Sequence, residues 1–223
     1  MNDAEKTLKR NLVYFRLRKE IYSGASRRQV EAIKTASQPE MDERRAEIHR
    51  LSEPDHPGTI DPLTNLYNRQ HFFNLVRLEF EQAVRYHHPL TILMIDVDSL
   101  ARINDGFRHG GGDMLLSRLA AFLSMTLRQA DIIGRYGGNA FVAALVNTNA
   151  KQGLMAARRL CTGVAGQMFQ TPYEPASVTI SVGVASLPEG DGSDKGSLDK
   201  LVQRAEEALN KAKQSGKNQV RVA

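Results

Sequence analysis

The sequence predicts an α+β domain of the split βαβ type behind a helical N-terminal segment. A continuous apolar run at residues 90–95 has the length of a buried central strand. Two further strand-like runs flank Gly137-Gly138, which is a strong signal for a β-hairpin. After about residue 60, and behind one leading helix, helical and strand-like patterns alternate in the order β-α-β-β-α-β, followed by α-β. This order predicts an antiparallel-containing sheet with helices mainly on one of its faces.

The N-terminal region is predicted to be helical but poor in apolar residues. Apolar residues recur near helical spacing in the first 22 residues, and a second, polar helix is predicted over about 27–51. Because it can bury little by itself, this region should pack on a partner, pair in a coiled coil or fray. Two prolines and a glycine within 52–58 predict a linker. We therefore divide the chain into a helical segment with its linker, residues 1–60, and a domain, residues 61–223.

The first half of the domain has a clear signal for each element. Apolar residues at helical spacing predict a helix that ends at His87-His88-Pro89, where proline forbids its continuation. The buried strand follows, and Asp113 is placed to cap a second helix with a leucine-rich face. The hairpin strands are predicted at 132–136 and 141–146.

The second half continues the alternation of helix and strand. Residues 150–168 are predicted to form a third helix with one apolar face. The alternating residues 178–184 predict a strand. A last helix over 198–212 then leads to a short last strand at 219–222.

The composition argues against several classes of protein. Apolar residues make up 41% of the chain and charged residues 25%, as in ordinary globular proteins. No apolar run approaches the ~18 residues of a membrane span, and no signal peptide is recognised, so we expect a cytoplasmic protein. The single cysteine, Cys161, excludes an internal disulfide and a Cys-based zinc site. The net charge of +5 is spread along the chain, which favours solvated helix faces over nucleic-acid binding.

Several residues are candidates for chemistry, although none carries a function by itself. Asp96 and Asp98 end the apolar strand on one face and are suited to bind Mg²⁺. Aspartates also open turns at strand ends, and spacing alone favours that interpretation. The glycine hairpin either approaches a phosphate or is a plain tight turn. Lys213 and Lys217 lie near the end of the last helix, where cations also suit the helix dipole.

Seven collinear motifs together resemble the GGDEF family, the diguanylate cyclases that join two GTP into cyclic di-GMP. The resemblance covers about residues 61–222 and implies the ferredoxin-like palm sheet of nucleotide cyclases. It also makes the N-terminal helices similar to the signalling helix that commonly precedes such domains. Asn65 replaces a usual glycine in the first motif, a departure that we interpret as minor. The motifs are Asp61-Pro62-Leu63-Thr64-Asn65-Leu66-Tyr67-Asn68-Arg69, Ile95-Asp96-Val97-Asp98, Ile103-Asn104-Asp105, His109 with Gly112-Asp113, Arg135-Tyr136-Gly137-Gly138, Ser181-Val182-Gly183-Val184-Ala185 and Ala212-Lys213-Gln214-Ser215-Gly216-Lys217-Asn218.

The resemblance implies a GTP site with assigned roles. Asp96 matches the carboxylate that binds the metal ions on the triphosphate. Asn104 and Asp113 match the positions that recognise guanine. A carboxylate can accept hydrogen bonds from the N–H groups on the edge of that base. Lys213 matches a phosphate ligand. Lys217 stands where the family usually has arginine, so this contact should be weaker without the bidentate fork.

The signature motif departs from the family pattern. The family turn is Gly-Gly-Asp/Glu-Glu-Phe, whereas this chain has Gly137-Gly138-Asn139-Ala140-Phe141. The third position normally gives the metals a second carboxylate, so Asp98 remains only a possible partial replacement. Ala101 also stands where a lysine is common. A loss of even 4 kcal/mol at the barrier slows a reaction roughly a thousandfold. We therefore expect no cyclic di-GMP synthesis at a useful rate.

A second family motif is intact. Arg128-Gln129-Ala130-Asp131 is separated from Gly137 by five residues and matches the inhibitory RxxD site at which cyclic di-GMP binds. An arginine fork can bond guanine O6 and N7 together, and Asp131 can accept from the guanine N–H edge. Arg159 or Arg158 on the following helix is placed to complete the site. The alternative for these two arginines is a solvated helix face.

The leading hypothesis is a cyclic di-GMP receptor on an inactive or severely impaired GGDEF scaffold. Such a receptor needs no cofactor and would signal to a downstream protein through the N-terminal helices. One alternative is a residual diguanylate cyclase acting as a homodimer. Another is a GTP-binding regulatory module. Mg²⁺ is expected only where GTP is bound at the vestigial active site. The last alternative is a protein-interaction scaffold with both pockets vestigial.

Overall fold

The computed structural model describes residues 58–100, 111–171, 175–188 and 196–223 of the 223-residue chain. The predicted N-terminal helices and most of the linker lie outside the described residues. None of the helices in the described ranges combines the length and apolar character that crossing a bilayer requires.

The described elements follow the predicted order of helices and strands. Two short strands, β4 and β5, pair with each other and are the one addition to that order. The elements are α1 (Arg69–Tyr86), β1 (Leu90–Val97), α2 (Gly111–Thr126), β2 (Ile132–Gly137), β3 (Ala140–Val146), α3 (Ala150–Ala165), β4 (Met168–Phe169), β5 (Ala176–Ser177), β6 (Ile180–Ser186), α4 (Leu198–Gln214) and β7 (Val220–Val222).

The main sheet has five strands in the order β2-β3-β1-β6-β7. The central strand β1 is antiparallel to both of its neighbours, and β7 pairs parallel with β6. Every residue of β1 is buried, as the continuous apolar run predicts. This architecture confirms the predicted α+β sheet flanked by helices.

The helices cover both faces of the sheet, so the expectation of helices mainly on one face is wrong. Leu93 and Ile95 of β1 join the core beneath α2 and α3, whereas Ile92 and Met94 join the core beneath α1 and α4. The physical reason lies in β1 itself. A strand that is apolar at every position exposes hydrophobic side chains on both faces, and each face needs a cover.

Local signals set most helix boundaries, with two corrections. Helix α1 ends where His87 adopts a left-handed φ of 56°, two residues before Pro89. Helix α3 ends at Ala165 rather than 168, and the exposed Met168 belongs to β4 instead of an apolar helix face. Asp113 lies within the first turn of α2 and is not its N-cap.

A compact turn precedes α1 and explains the departure at Asn65. The Asp61 Oδ1 atom accepts hydrogen bonds from the Thr64 amide at 2.9 Å and its hydroxyl at 2.7 Å. Asn65 takes a left-handed φ of 56°, a conformation that asparagine tolerates better than most non-glycine residues. Asn68 then caps α1 by accepting from the His71 amide. Asparagine therefore replaces glycine here at little conformational cost.

The β2–β3 hairpin turns at its two glycines. Gly137 has φ 147° and Gly138 has φ 52°, values that favour glycine. The turn leaves Asn139 beside the end of β1, since the Val97 amide donates to the Asn139 carbonyl at 3.1 Å. The hairpin therefore delivers the third signature residue to the carboxyl end of the central strand.

Helix α4 lies in direct contact with the backbone of β6. A Cβ atom at Gly183 would be 2.0 Å from the Ala205 carbonyl oxygen and 2.3 Å from the Leu209 amide nitrogen. Those atoms are helix backbone and cannot move independently. This close packing fixes the height of α4 over the sheet, and Lys213 lies one turn beyond Leu209, at the end of β1.

We expect Gly183→Ala to destabilise the domain by about 3 kcal/mol, because the added methyl pushes α4 off β6. Urea denaturation of the full chain measures the loss. Gly166→Ala is the matched control, since its Cβ would have no contact closer than 3.4 Å, and we expect a change within about 1 kcal/mol. Equal midpoints for the two variants would contradict this account of the α4 contact.

Candidate functional site

The first candidate site lies at the carboxyl end of β1, around Asp96. This residue is 6% exposed. Its Oδ2 atom lies 2.8 Å from the Lys213 Nζ atom of α4. Its Oδ1 atom accepts a hydrogen bond of 3.1 Å from the Asn139 side-chain amide, which also donates to the Val97 carbonyl at 3.1 Å. The structure thus brings together the predicted metal ligand, the predicted phosphate ligand and the altered signature residue.

The environment of Asp96 disfavours its charged form. Burial raises the pKa of the Asp96 carboxyl, and the nearby charge of Asp98 acts in the same direction. Hydrogen bonds from Lys213 and Asn139, together with the Lys213 charge, lower the pKa but do not outweigh burial. The carboxylate is therefore held at an electrostatic cost that its two partners reduce only in part.

The side chains around Asp96 do not fit a two-metal centre. A divalent ion needs oxygen ligands that point lone pairs at it. Here Asn139 turns its N–H group toward Asp96, and the Lys213 ammonium already lies against the other carboxylate oxygen. Within the described ranges, no three His, Cys, Asp or Glu side chains form a group suited to hold a metal.

Asp98 has hydrogen-bond partners of its own, so it is not placed to replace the missing metal-binding carboxylate beside Asp96. Its Oδ2 atom accepts from the Thr179 hydroxyl at 2.6 Å and from the Asn218 amide at 2.9 Å. Its Oδ1 atom accepts from the Ser181 hydroxyl at 2.7 Å. Asp98 is also 6% exposed. These three bonds join the ends of β1 and β6 to the turn that precedes β7.

Only some of the other predicted GTP ligands lie near Asp96 at the end of β1. Lys217 donates to the Ser99 hydroxyl at 3.0 Å, just past Asp98. Asp113 is exposed in the first turn of α2. Asn104 and Ala101 lie outside the described residues. The structure therefore places the two lysines at the end of β1 and leaves the predicted guanine contact of Asn104 without a described position.

The signature hairpin is braced from the two faces of the sheet. The Arg135 guanidinium donates to the Gly138 carbonyl and lies 5.4 Å from the centre of the Phe141 ring. On the other face, the Tyr136 hydroxyl donates to Glu206 of α4, while the Arg69 guanidinium lies 4.5 Å from the Tyr136 ring centre. Burial is the main cause that raises the pKa of the Tyr136 hydroxyl, and the hydrogen bond to Glu206 and its charge raise that pKa further.

The second candidate site is the turn between α2 and β2. The Arg128 amide donates to Asp131 Oδ2 at 2.9 Å, and the Asp131 amide donates back to the Arg128 carbonyl at 2.9 Å. The pair forms a closed turn with Arg128 exposed and Asp131 half-buried. The Arg128 guanidinium makes no hydrogen bond or ion pair within the part of the chain that the structure describes. That cation is therefore available to a ligand.

Helix α3 brings Arg159, rather than Arg158, to this turn. The Arg159 Nη2 atom donates to the Thr126 carbonyl at the end of α2, at 2.9 Å. Burial raises the pKa of Asp131, and the Arg128 amide, the charges of Arg128 and Arg159 and the Val146 backbone oppose that rise. Arg158 is exposed and does not contribute to the environment of Asp131.

Sequence reasoning missed the residues that hold these sites in place. Ser181 and Asn218 lie within family motifs, which is a signal, but nothing in the pattern assigns them to Asp98. Glu206 is an acidic residue on a polar helix face with no motif around it. The Thr126 carbonyl is a backbone group, which no side-chain pattern reports.

Comparisons with known proteins agree on one family. The family model described as "Diguanylate cyclase, GGDEF domain" matches residues 58–219. The diguanylate cyclase DgcP of Pseudomonas aeruginosa is 36% identical over 175 residues, which are 78% of this chain and 25% of DgcP. The chain spans less than half the length of the curated relatives that it matches.

Solved structures give the same result. The FimX GGDEF domain from Pseudomonas aeruginosa is similar with a TM-score of 0.67 and 27% identity, over 74% of this chain and 99% of that one. A microbial GGDEF domain described in an interaction with cyclic di-GMP has a TM-score of 0.62 and 28% identity, over 74% and 96% of the two chains. Because the family model covers well over half of its residues and the fold agrees, this chain belongs to the GGDEF family.

Proposed function

We propose that this domain is a catalytically impaired GGDEF domain that acts as a receptor for cyclic di-GMP. The observation that carries the proposal is the contrast between two sites. At one, Lys213 and Asn139 hold the carboxylate that would bind metal. At the other, the exposed cations of Arg128 and Arg159 flank the Asp131 carboxylate and remain accessible.

The impairment follows from the chemistry of nucleotidyl transfer. Metal ions in such reactions neutralise the phosphates and activate the attacking oxygen. Asp96 would have to release Lys213 before it could bind a metal, and Asn139 offers a donor where the family has a carboxylate. Ala140 carries no ligand atom. Mg²⁺ therefore enters only if GTP binds at the Asp96 site.

The receptor role follows from the turn that Arg128 and Asp131 close. One hydrogen bond to the Asp131 carboxylate and one between backbone groups fix this turn without using the Arg128 guanidinium, so a ligand meets a preorganised cation. Arg159 is anchored by one hydrogen bond and keeps further N–H groups free. Two arginines and a carboxylate match the donors and acceptors on the guanine edge. The similar GGDEF domain described with cyclic di-GMP supports this choice of ligand.

A receptor also needs an output. We infer that ligand binding is passed to a downstream protein through the N-terminal segment, which joins the domain at the Asp61 turn. Hydrogen bonds from Thr64 to Asp61 give that turn a defined geometry. Signalling from a cytoplasmic location fits this arrangement.

Calorimetry with cyclic di-GMP is expected to show binding that depends on Arg128. We expect Arg128→Ala to weaken the affinity about 10- to 100-fold, because a bidentate contact with a base is worth about 1–3 kcal/mol. Arg158→Ala is the matched control, since it removes an exposed cation of α3 that does not act on Asp131. Absence of binding at tens of micromolar ligand, or equal affinity for Arg128→Ala, would overturn the receptor role.

The purified chain is expected to form no cyclic di-GMP from GTP with Mg²⁺ or Mn²⁺. Nucleotide chromatography over a long incubation tests this. Robust product formation would refute the impairment and favour an active diguanylate cyclase. Binding of GTP without product formation, which we do not expect, would instead favour a GTP-binding module.

Asn139→Glu is expected to make the domain responsive to Mn²⁺. Without metal, the new carboxylate faces Asp96 and the Val97 carbonyl, so stability should fall by about 1–3 kcal/mol. Added Mn²⁺ should raise the melting temperature of this variant more than that of the wild type. Asn74→Glu, at an exposed position of α1, is the control for the charge change. An equal Mn²⁺ response in the wild type would contradict the account in which Lys213 and Asn139 keep metal from the Asp96 carboxylate.

Asp96→Asn is expected to stabilise the domain at neutral pH. The raised pKa of Asp96 means that the folded state binds its proton more tightly than the unfolded state, so this group lowers wild-type stability as the pH rises through its folded pKa. The gain should be present at about pH 7 and shrink towards the ordinary aspartate pKa of about 4. Urea midpoints across this range measure it, with the exposed Glu81→Gln as control. A destabilised Asp96→Asn at neutral pH would be the contrary result.

A further inference from the structure

The turn that leads into α1, residues 58–68 and here called the entry turn, is attached to the outer edge of strand β2. Strand β2 is the first in the order of the main sheet, so among the described strands only β3 pairs with it. On its other edge, the Arg135 amide donates to the Tyr67 carbonyl at 2.8 Å, and Tyr67 forms an isolated parallel bridge with Gly134. The entry turn therefore continues the hydrogen bonding of the sheet beyond β2.

Gly134 brings the backbone of β2 very close to the entry turn and to α1. A Cβ atom at Gly134 would lie 2.9 Å from the Phe72 Cβ atom and 3.0 Å from the Tyr67 carbonyl oxygen. Phe72 is fully buried in the first turn of α1, so it has no room to retreat. Because no side chain separates the two backbones at this point, a displacement of β2 is passed directly to the entry turn.

A second contact joins the start of α1 to β2 near the hairpin. The Arg69 guanidinium lies 4.5 Å from the centre of the Tyr136 ring, and its Nη2 atom lies 3.4 Å from the Tyr136 hydroxyl. The Phe73 ring meets the same tyrosine ring edge-on, with 6.2 Å between the ring centres. Backbone and side-chain contacts together therefore hold the end of the entry turn against β2.

The other end of β2 begins at the proposed receptor site. Asp131 directly precedes the strand, and its carboxylate accepts from the Arg128 amide. Gly134 follows three residues later, about 10 Å away at strand geometry. A ligand held by Arg128 and Asp131 would order the start of β2. Ordering of a strand also stabilises the segments that are paired with it against local unfolding.

We propose that β2 couples the Arg128–Asp131 site to the entry turn, so that bound cyclic di-GMP stabilises the entry turn in its position on β2. The two states are the attached turn, with Tyr67 bonded to Arg135, and a turn that has opened from β2 by local unfolding. The proposal rests on the receptor function above and names the element that carries its output to the N-terminal segment.

Hydrogen exchange of the full chain with and without cyclic di-GMP tests the coupling. Saturating ligand should slow exchange of the Arg135 amide and of the Asn65 and Asn68 amides about fivefold or more, as a typical coupling between sites predicts. The Ser215 and Lys217 amides, which bond within the end of α4, are the internal control and should keep their rates. Unchanged rates in the entry turn, or equal slowing at the end of α4, would overturn the proposal.

Two arginine variants show whether the amides report the proposed contacts. Arg69→Ala removes the contact with Tyr136 and should speed exchange of the Asn68 amide about two- to tenfold in the free protein. Arg77→Ala, which removes another exposed arginine of α1, is the matched control and should leave that rate unchanged. Equal rates in the two variants would contradict the role of the Arg69 contact in holding the turn.

A third variant separates this inference from the receptor function. With Arg128→Ala at the same ligand concentration, the slowing of exchange in the entry turn should disappear. If the wild type binds cyclic di-GMP in an Arg128-dependent manner while exchange in its entry turn stays the same, this inference alone fails. If the wild type binds no cyclic di-GMP, the receptor function fails together with it.

Discussion

The buried carboxylate of Asp98 ties together three segments that are distant in sequence. It accepts hydrogen bonds from Thr179 and Ser181 at the start of β6 and from the Asn218 amide before β7. The turn at residues 215–218 connects α4 to β7, so its anchoring to β1 sets where α4 ends. Lys213 then lies against Asp96, and Lys217 lies against Ser99. The arrangement of the first site therefore depends on a carboxylate that has no need to touch a ligand.

Hydrophobic patterning carried most of the fold prediction. The apolar run of β1, the glycine pair of the hairpin and the order of helices and strands were sufficient for the sheet and its sequence of elements. The order of elements does not predict the coverage of both faces, whereas the continuous apolar run of β1 implies it. The early end of α3 was missed because Gly166 was not used as a stop signal, although glycine there is a common helix terminator.

The candidate sites were predictable by residue type and less so by geometry. Motif spacing pointed to Asp96, Lys213, Arg128 and Asp131, and the structure gathers these residues in two places. Motif spacing does not distinguish Arg158 from Arg159, because a rotation of about 100° per residue along the helix decides which one faces Asp131. Nor could it reveal that Asn139 would turn its amide nitrogen to Asp96, since the direction of an amide depends on its neighbours.

The two candidate sites lie at opposite ends of one strand, so a substitution at one of them need not disturb the other. Asp131 directly precedes β2, and Gly137 ends it about 20 Å away at strand geometry. The turn needs its two glycines for their backbone angles, whereas the next two positions carry no such demand. Asn139 and Ala140 can therefore replace acidic residues without disturbing the hairpin, and Asn139 even adds bonds to Asp96 and Val97. Substitution here removes metal ligands at little cost to the fold, because the charge repulsion that those ligands would cause without metal disappears with them.

Substitution in the turn at Arg128 brings no comparable relief of charge repulsion. The Arg128 amide donates to the Asp131 carboxylate, so the residue that would read guanine also helps to hold the turn.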